Sequence, residues 1–236
     1  MLDQDWREYN IHGDDVEDQY FDLFATSTDK FQTLEWNFPN LKTISLRGNA
    51  EDYTNSTGMT VWAGAEVLCD YLLTHPGKVK DKNVLELGAG LGLCGVLAHE
   101  LGASTVRLTD GDTEVLENLR YNVKDRSLVD PSSTTSSISC PQLIWGKNLD
   151  AFARSYGKQD IVMSTDCGYM TKCLVPMFET VHKLLDPVNG LFLFVNISSS
   201  QSPIETVLER AHQCGLELCP NINSEEFDQV HIFRHK

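Results

Sequence analysis

The sequence contains no long hydrophobic run and no visible targeting segment. Among its 236 residues, no apolar stretch reaches the roughly 18 residues that a membrane-spanning helix requires. The opening stretch MLDQDWREYN has neither the basic part nor the apolar part of a secretory signal. These absences predict a protein without membrane contact that acts in the cytoplasm, with the nucleus as the alternative compartment.

Positive charge is scarce. Lys and Arg number 19 against 34 Asp and Glu, which gives a formal net charge of −15 at pH 7. A surface this negative repels phosphate backbones, so it argues against a nucleic-acid partner and favours Lys- or Arg-rich proteins and cationic ligands. We expect a monomer whose partner is a protein with a basic or lysine-bearing surface.

Patterns of disulfide or metal chemistry are also missing. The seven cysteines are odd in number, C-x-x-C does not occur, and no Cys/His spacing resembles a zinc site. Of the seven histidines, His231 and His235 are four apart but lack a third ligand in the same segment. We therefore expect reduced thiols and no metal.

The chain is long enough for one sizeable core, and its composition changes near residue 30. Residues 1–30 are rich in Asp and Glu and poor in aliphatic side chains, which is typical of a flexible, solvated tail. A segment that folds over the active site or meets a basic partner fits the same composition. Residues 31–236 are expected to form a single domain.

Strand-like and helix-like segments alternate through that domain. The alternating apolar residues of TLEWNFPNLKTISLRG predict a hairpin with one buried face. The later strand-like segments are NVLELG, TVRLTD, PQLIWG, DIVMSTD, GLFLFVNIS, LELCP and DQVHIFRH. Helical patterns follow several of them, one over about 174–185, whereas DPSSTTSSIS is typical of a loop. The order predicts an α/β fold: a Rossmann-like, seven-stranded, mostly parallel sheet with helices on both faces, an antiparallel edge strand and an N-terminal β-hairpin.

A glycine-rich loop follows the first of these strands. The stretch from Gly90 to Gly95 matches G-x-G-x-x-G, and Asp110 lies about 20 residues further on, at the end of the next strand. In such loops glycine lets the backbone approach a ligand closely, and the acid binds two ribose hydroxyls. By itself the pattern fits a dinucleotide such as NAD.

Glu86 changes the preferred cofactor. It stands inside the strand, two residues before Gly88. A carboxylate there would face the pyrophosphate of NAD, and like charges across a low-dielectric gap are costly. S-adenosylmethionine carries an ammonium and a sulfonium and no phosphate, so the pattern favours S-adenosylmethionine over NAD.

These segments resemble a known family. VLELGAGLG followed by LTD resembles the glycine loop and the following acid of seven-strand (class I) methyltransferases. VWAGAEVLCDYL, LIWGKNL, DIVMSTDCGY and the closing VHIF resemble the small protein-lysine methyltransferases that act on heat-shock chaperones, the valosin-containing ATPase, elongation factors and calmodulin. The similarity runs from about residue 60 to the end. It implies an enzyme that transfers methyl groups from S-adenosylmethionine to a lysine side chain of a protein substrate.

The resemblance, together with the charge of Glu86, assigns cofactor binding to eight residues. They are Trp62, Glu86, Gly88, Ala89, Gly90, Asp110, Trp145 and Thr165. The family comparison implies that the glycine loop wraps the methionine part, that Asp110 binds the ribose and that Trp145 lies against the adenine. Ser164-Thr165 replaces the family's usual Gly-Ala, which makes that wall larger and more polar.

Asp166 and Tyr169 match the D-x-x-Y signature of the family. We expect Asp166 to orient the incoming amine through a hydrogen bond and Tyr169 to form part of the lysine channel. Without the family, Asp166 also fits a helix cap or turn, Tyr169 fits packing under the next helix, and the tryptophans fit core positions.

Other functions remain open at this point. The same fold methylates Arg or His side chains or small amines, and a binding module without catalysis is a further alternative. Adenine-N6 methyltransferases carry D/N-P-P-Y/F at this position, and DCGY lacks those prolines. The sequence names neither the acceptor protein nor the number of methyl groups added.

Overall fold

The computed structural model describes residues 31–49, 57–126, 137–197, 202–220 and 227–236. The predicted acidic tail, residues 1–30, lies outside the described residues, as does most of the Ser/Thr-rich loop. Within the described ranges, no helix combines the length and the apolarity needed to cross a membrane. The same ranges contain no group of three or more His, Cys, Asp or Glu side chains that could hold a metal ion.

Strands and helices alternate along the described chain. The strands are β1 (Gln32–Trp36), β2 (Ile44–Gly48), β3 (Asn83–Leu87), β4 (Thr105–Thr109), β5 (Ser137–Ser139), β6 (Ile161–Thr165), β7 (Leu191–Val195), β8 (Leu216–Leu218) and β9 (Val230–His235). The helices are α1 (Ala63–Thr74), α2 (Leu93–Glu100), α3 (Thr113–Val123), α4 (Leu149–Tyr156), α5 (Thr171–Leu184) and α6 (Ile204–Gln213).

Seven strands form one sheet in the order β5-β4-β3-β6-β7-β9-β8. The first five pair in parallel, and β9 runs antiparallel between β7 and the edge strand β8. The predicted Rossmann-like fold is confirmed. The chain order reverses between the neighbours β3 and β6, and open α/β sheets bind ligands outside the carboxyl ends of the strands at such a point.

Two apolar clusters cover the two faces of this sheet. Helices α1, α2 and α3 pack in one cluster, and α4, α5 and α6 pack in the other. Because side chains alternate along a strand, Val84 of β3 joins the first cluster and Leu85 joins the second. Glu86 therefore shares the face of Val84 and points toward α2.

The predicted N-terminal hairpin is confirmed by the antiparallel pair β1-β2. Its apolar residues are buried in the cluster of α1, α2 and α3. The backbone N–H of Arg47 donates to Asn122 Oδ1 at 2.8 Å, and Asn118 Nδ2 donates to the Arg47 carbonyl at 2.9 Å. The Arg47 guanidinium also lies 3.9 Å from the ring centroid of Tyr121. The hairpin is thus fixed to α3.

Two local predictions were wrong. The segment PQLIWG, which was expected to be a strand, has no regular secondary structure. The strand at this edge of the sheet is β5, which lies in the preceding segment that was expected to be a loop. Pro141 has no N–H to donate, so a strand cannot pair through it, and only Ile138 of β5 is buried. The helix expected from about residue 174 begins at Thr171, where the Cys173 N–H closes the first turn onto the Met170 carbonyl at 2.8 Å.

Gly95 allows α2 to pack against the sheet, and its replacement by alanine is expected to destabilise the fold. A Cβ at Gly95 would overlap the fully buried Leu108 side chain and stand 2.7 Å from Glu86 Oε2. Overpacking destabilises a fold by about 1–3 kcal/mol, which exceeds the gain of up to about 1 kcal/mol from the better helix propensity of alanine. Urea unfolding should show a lower free energy of unfolding for Gly95→Ala than for the unsubstituted protein. Gly77→Ala is the control because a Cβ there meets nothing within 4 Å, and an equal loss in both variants would contradict the packing argument.

Candidate active site

A cavity of about 770 Å³ opens at the carboxyl ends of β3, β4 and β6. This volume lies within the range of roughly 300–1,000 Å³ that small-molecule sites occupy. All ten residues that the sequence singles out line it: Trp62, Glu86, Gly88, Ala89, Gly90, Asp110, Trp145, Thr165, Asp166 and Tyr169. The structure brings the set together, and the individual roles stay predictions.

The glycine loop after β3 forms the floor of the cavity. Gly88 has φ +65°, a left-handed conformation that disfavours other residues. A Cβ at this position would lie 2.6 Å from Cys167 Sγ and 3.3 Å from the ring of Trp145. The Ala89 N–H donates to the Thr109 carbonyl at 2.9 Å, which ties the loop to β4. The backbone at Gly88 is thus open to a ligand, and a larger residue at this position would block that approach.

Asp110 follows β4 directly and faces the glycine loop. Its Oδ2 accepts from the Gly90 N–H at 3.3 Å, and its Oδ1 accepts from the Asp112 N–H at 3.0 Å. Burial raises the pKa of the Asp110 carboxyl, although these backbone N–H groups oppose the shift. The carboxylate is held in one orientation at the cavity wall, where it can accept hydrogen bonds from hydroxyl groups of a ligand.

Glu86 is buried beneath α2. Its Oε2 accepts from the Gly95 N–H at 2.9 Å. Burial raises the pKa of the Glu86 carboxyl to about 8, the Gly95 N–H and the Cys94 side chain oppose that shift, and the charge of Asp110 adds to it. A cation in the cavity would stabilise the ionised form of this carboxyl, and an anion would destabilise it.

Asp166 joins three parts of the fold at the end of β6. Its Oδ2 accepts from the Gly64 N–H in the first turn of α1 at 2.7 Å, and its Oδ1 accepts from the Ile197 N–H at 3.3 Å. Its own N–H donates to the Val195 carbonyl at 2.9 Å, and its φ is +51°. An ionised carboxylate accepts about four hydrogen bonds, so these contacts are compatible with orienting an amine.

Two aromatic side chains stand near Asp166 in the cavity wall. Trp62 immediately precedes α1, and Tyr169 lies between β6 and α5 with 47% of its surface exposed. Trp62 Nε1 donates to the Thr57 carbonyl at 2.8 Å. Burial raises the pKa of the Tyr169 hydroxyl, and the Thr57 side chain opposes the shift.

Several cavity residues were missed by sequence reasoning. They include Thr57, Asp112, Cys167, Lys172 and Cys173. Cys167 belongs to the DCGY segment and could have been found there. Its thiol is buried, which raises its pKa to about 12, so it packs under the glycine loop as a neutral group. Thr57 and Lys172 belong to no pattern, and only the tertiary fold brings them to the cavity.

The seven-stranded sheet, the glycine loop with its flanking acids and the cavity at the switch point together define a domain of the class I methyltransferase type. The predicted family is confirmed. The sequence model of the lysine methyltransferase family matches residues 42–206, and the chain belongs to this family.

Curated relatives share about 30% of the residues in their aligned regions. Protein-lysine N-methyltransferase EFM3 of Chaetomium thermophilum is 30% identical over 173 residues, 71% of this chain and 50% of that protein. Protein N-lysine methyltransferase METTL21A of Mus musculus is 32% identical over 175 residues, 74% of this chain and 75% of that protein. Histone-arginine methyltransferase METTL23 of Xenopus laevis is 29% identical over 175 residues, 72% of this chain and 69% of that protein. The chain spans about half the length of several curated relatives it matches, EFM3 among them.

The fold also has solved counterparts. A TehB-like SAM-dependent methyltransferase from Corynebacterium glutamicum superposes with a TM-score of 0.50 and 17% identity, covering 76% of this chain and 91% of that one. At this level of identity the likeness concerns the fold alone, and it agrees with the sheet order described above.

Proposed function

We propose that this chain binds S-adenosylmethionine and transfers its methyl group to a lysine side chain of a protein substrate. The observation that carries the proposal is the gathering of acidic side chains, among them Glu86, Asp110 and Asp166, with three aromatic rings around one glycine-floored cavity. Such a site suits a ligand that bears positive charge. Membership in the lysine methyltransferase family supports the same conclusion.

The residues present fit this cofactor. When bound, S-adenosylmethionine supplies a methyl group activated by a sulfonium. Gly88 leaves backbone open to the methionine part, and Asp110 accepts the ribose hydroxyls. Trp145, whose ring lies against Gly88, offers a face for the adenine. The ionised form of Glu86 is stabilised by a cation in the cavity and destabilised by an anion, so Glu86 disfavours a pyrophosphate and therefore NAD.

The acceptor amine must lose a proton before it can react. A free lysine has a pKa of about 10.4, so at neutral pH nearly all of it is protonated. An amine placed beside another cation has a lowered pKa, and the proton leaves to water. Asp166 and Tyr169 then orient the neutral amine by hydrogen bonds, since an in-line displacement depends chiefly on alignment.

The same proposal extends to the partner and the compartment. The net charge of −15 favours an acceptor protein with a basic or lysine-bearing surface and disfavours nucleic acid. We place the protein in the cytoplasm, with the nucleus as the alternative, acting as a monomer away from membranes. Arginine is the second candidate acceptor, because one relative is named a histone-arginine methyltransferase.

Calorimetry with S-adenosylhomocysteine and with NAD tests the cofactor. We expect binding of the first and none of the second. Asp110→Asn should weaken S-adenosylhomocysteine about 10- to 100-fold, because hydrogen bonds to a charged group contribute about 1.5–3 kcal/mol. Asp125→Asn, an exposed residue outside the cavity, is the control. Failure of S-adenosylhomocysteine to bind would contradict the proposal and favour a binding module.

The acceptor is tested with radiolabelled S-adenosylmethionine and a cell lysate. Label in a protein band, followed by mass spectrometry of that band, distinguishes lysine from arginine as the methylated side chain. Label confined to small molecules would contradict a protein acceptor.

A further inference from the structure

The pairing between β3 and β6 stops just before the glycine loop. The two strands pair from Val84 with Ile161 to Glu86 with Met163, and their ladder ends there. The next residues, Leu87 and Ser164, lie where the strand order reverses and the cavity opens. The backbone that leads into Gly88 therefore has no ladder partner on β6.

A buried hydroxyl bridges the two strands at the point where the ladder ends. Ser164 Oγ donates to the Leu87 carbonyl at 3.0 Å, and Ser164 is fully buried. Met177 Sδ lies 3.9 Å from the same oxygen, so the single hydroxyl proton goes to the nearer carbonyl. Because a buried hydroxyl without a hydrogen bond costs free energy, this contact holds Ser164 and Leu87 together.

The Leu87 carbonyl has a second donor beneath the glycine loop. Cys167 Sγ donates to it at 3.7 Å. A carbonyl oxygen has two lone pairs, so the two side chains together occupy both. Since the peptide unit is planar, a fixed Leu87 carbonyl also fixes the N–H of Gly88. The left-handed turn at Gly88, with φ +65°, thus starts from a peptide plane that is set by side chains of β6 and of the segment after it.

The other side of β3 is held in a similar way by β4. Thr109 Oγ1 donates to the Glu86 carbonyl at 2.7 Å, and the Thr109 carbonyl accepts from the Ala89 N–H at 2.9 Å. The start of the glycine loop is therefore held between two buried hydroxyl groups, one from each neighbouring strand.

We propose, on the basis of the proposed function, that Ser164 is a positioning residue for S-adenosylmethionine. It holds the peptide between Leu87 and Gly88 in the orientation in which the glycine loop receives the cofactor. Ser164 lies behind the cavity wall and is not one of its lining residues, so it acts only through the loop. Without the hydroxyl, a smaller fraction of the molecules holds the loop ready, and the apparent affinity falls with that fraction.

Ser164→Ala removes the donor and adds no atom to the buried site. We expect the dissociation constant of S-adenosylhomocysteine, measured by calorimetry, to rise about fivefold, as for one hydrogen bond lost from the binding conformation. Thr105→Val is the matched control, because Thr105 Oγ1 bridges β4 to Asn83 Oδ1 of β3 at 2.8 Å, at the opposite end of the sheet. It should bind like the unsubstituted protein. An equal rise in both variants, or none in Ser164→Ala, would overturn the role of Ser164.

Steady-state kinetics distinguish positioning of the cofactor from a general loss of stability. With the acceptor found in the lysate assay, Ser164→Ala should raise the KM for S-adenosylmethionine about fivefold, while kcat at saturating cofactor stays within about twofold. Ser164→Cys keeps a weaker donor, so its KM should lie between those of Ser164→Ala and the unsubstituted protein. A lower kcat at unchanged KM would contradict an action through the cofactor loop.

Hydrogen exchange without any ligand separates this role from the proposed function. Mass spectrometry of a peptide spanning residues 84–93 follows the Ala89 N–H, which is bonded to the Thr109 carbonyl. We expect faster exchange there in Ser164→Ala and no change in Thr105→Val. Unchanged exchange in Ser164→Ala would overturn the role of Ser164.

The two proposals fail in different ways. If the unsubstituted protein binds no S-adenosylhomocysteine, the proposed function falls and the role of Ser164 for the cofactor falls with it. If S-adenosylhomocysteine binds equally well to the unsubstituted protein and to Ser164→Ala, only the role of Ser164 falls.

Discussion

Replacing Asp166 with alanine is expected to abolish methyl transfer and to lower the free energy of unfolding at the same time. Both carboxylate oxygens accept backbone N–H groups, from Gly64 and from Ile197. Each buried N–H that loses its partner costs about 1–3 kcal/mol, so the loss of both partners is expected to cost about 2–6 kcal/mol. The transfer rate should fall about 100-fold or more, because the amine loses its orienting group.

The two effects can be told apart. Asp166→Asn keeps the shape and one accepting oxygen, so it should retain more stability than the alanine variant while transfer still falls. Asp160→Ala is the matched control, since Asp160 Oδ2 accepts the Asn83 N–H at 2.8 Å at the opposite end of the sheet. It should lose stability in urea but keep full turnover per folded molecule. Normal turnover by folded Asp166→Asn would exclude Asp166 as the group that orients the amine.

Replacing Glu86 with glutamine is expected to flatten the pH dependence of stability. Burial raises the pKa of the Glu86 carboxyl from its ordinary value of 4.5 to about 8, so the folded protein holds the proton more tightly than the unfolded chain. The stability contributed by the bound proton is complete below pH 4.5 and is lost as the pH rises to about 8. At about 1.4 kcal/mol for each pH unit, the loss amounts to at most about 5 kcal/mol.

Urea unfolding between pH 4.5 and pH 9 measures this effect. Glu86→Gln has no titrating proton at this position, so its free energy of unfolding should fall less steeply with rising pH than that of the unsubstituted protein. Glu205→Gln, an exposed position on α6, changes the net charge equally and should leave the decline unchanged. Identical profiles for Glu86→Gln and the unsubstituted protein would show that Glu86 is already ionised in the folded state at neutral pH.

Much of the fold could be predicted because its signals are local. Buried parallel strands such as β3 and β6 are short apolar runs, and the glycine loop and its acids occupy fixed positions after strand ends. The failures have local causes as well. β5 is a three-residue edge strand that buries only Ile138, so it carries almost no periodic signal.

The internal geometry of the site could be predicted only in part. The membership of Asp166 and Tyr169 followed from their signature, but their contacts did not. Asp166 bonds to Gly64, which is 102 residues away in the chain, and no sequence periodicity reports such a partner. The same holds for Thr57, which lines the cavity and whose backbone carbonyl accepts from Trp62 Nε1.

The contacts of Asp166 also bear on the order in which a growing chain acquires its function. The cavity walls come from segments between residue 57 and residue 176. The conformation of Asp166, however, depends on Val195 and Ile197, at and after the end of β7. A nascent chain that has not yet emerged past β7 can hold the glycine loop but cannot lock Asp166 in place. The fixed Asp166 that the proposed function requires is therefore acquired late in synthesis, after most of the sheet has assembled.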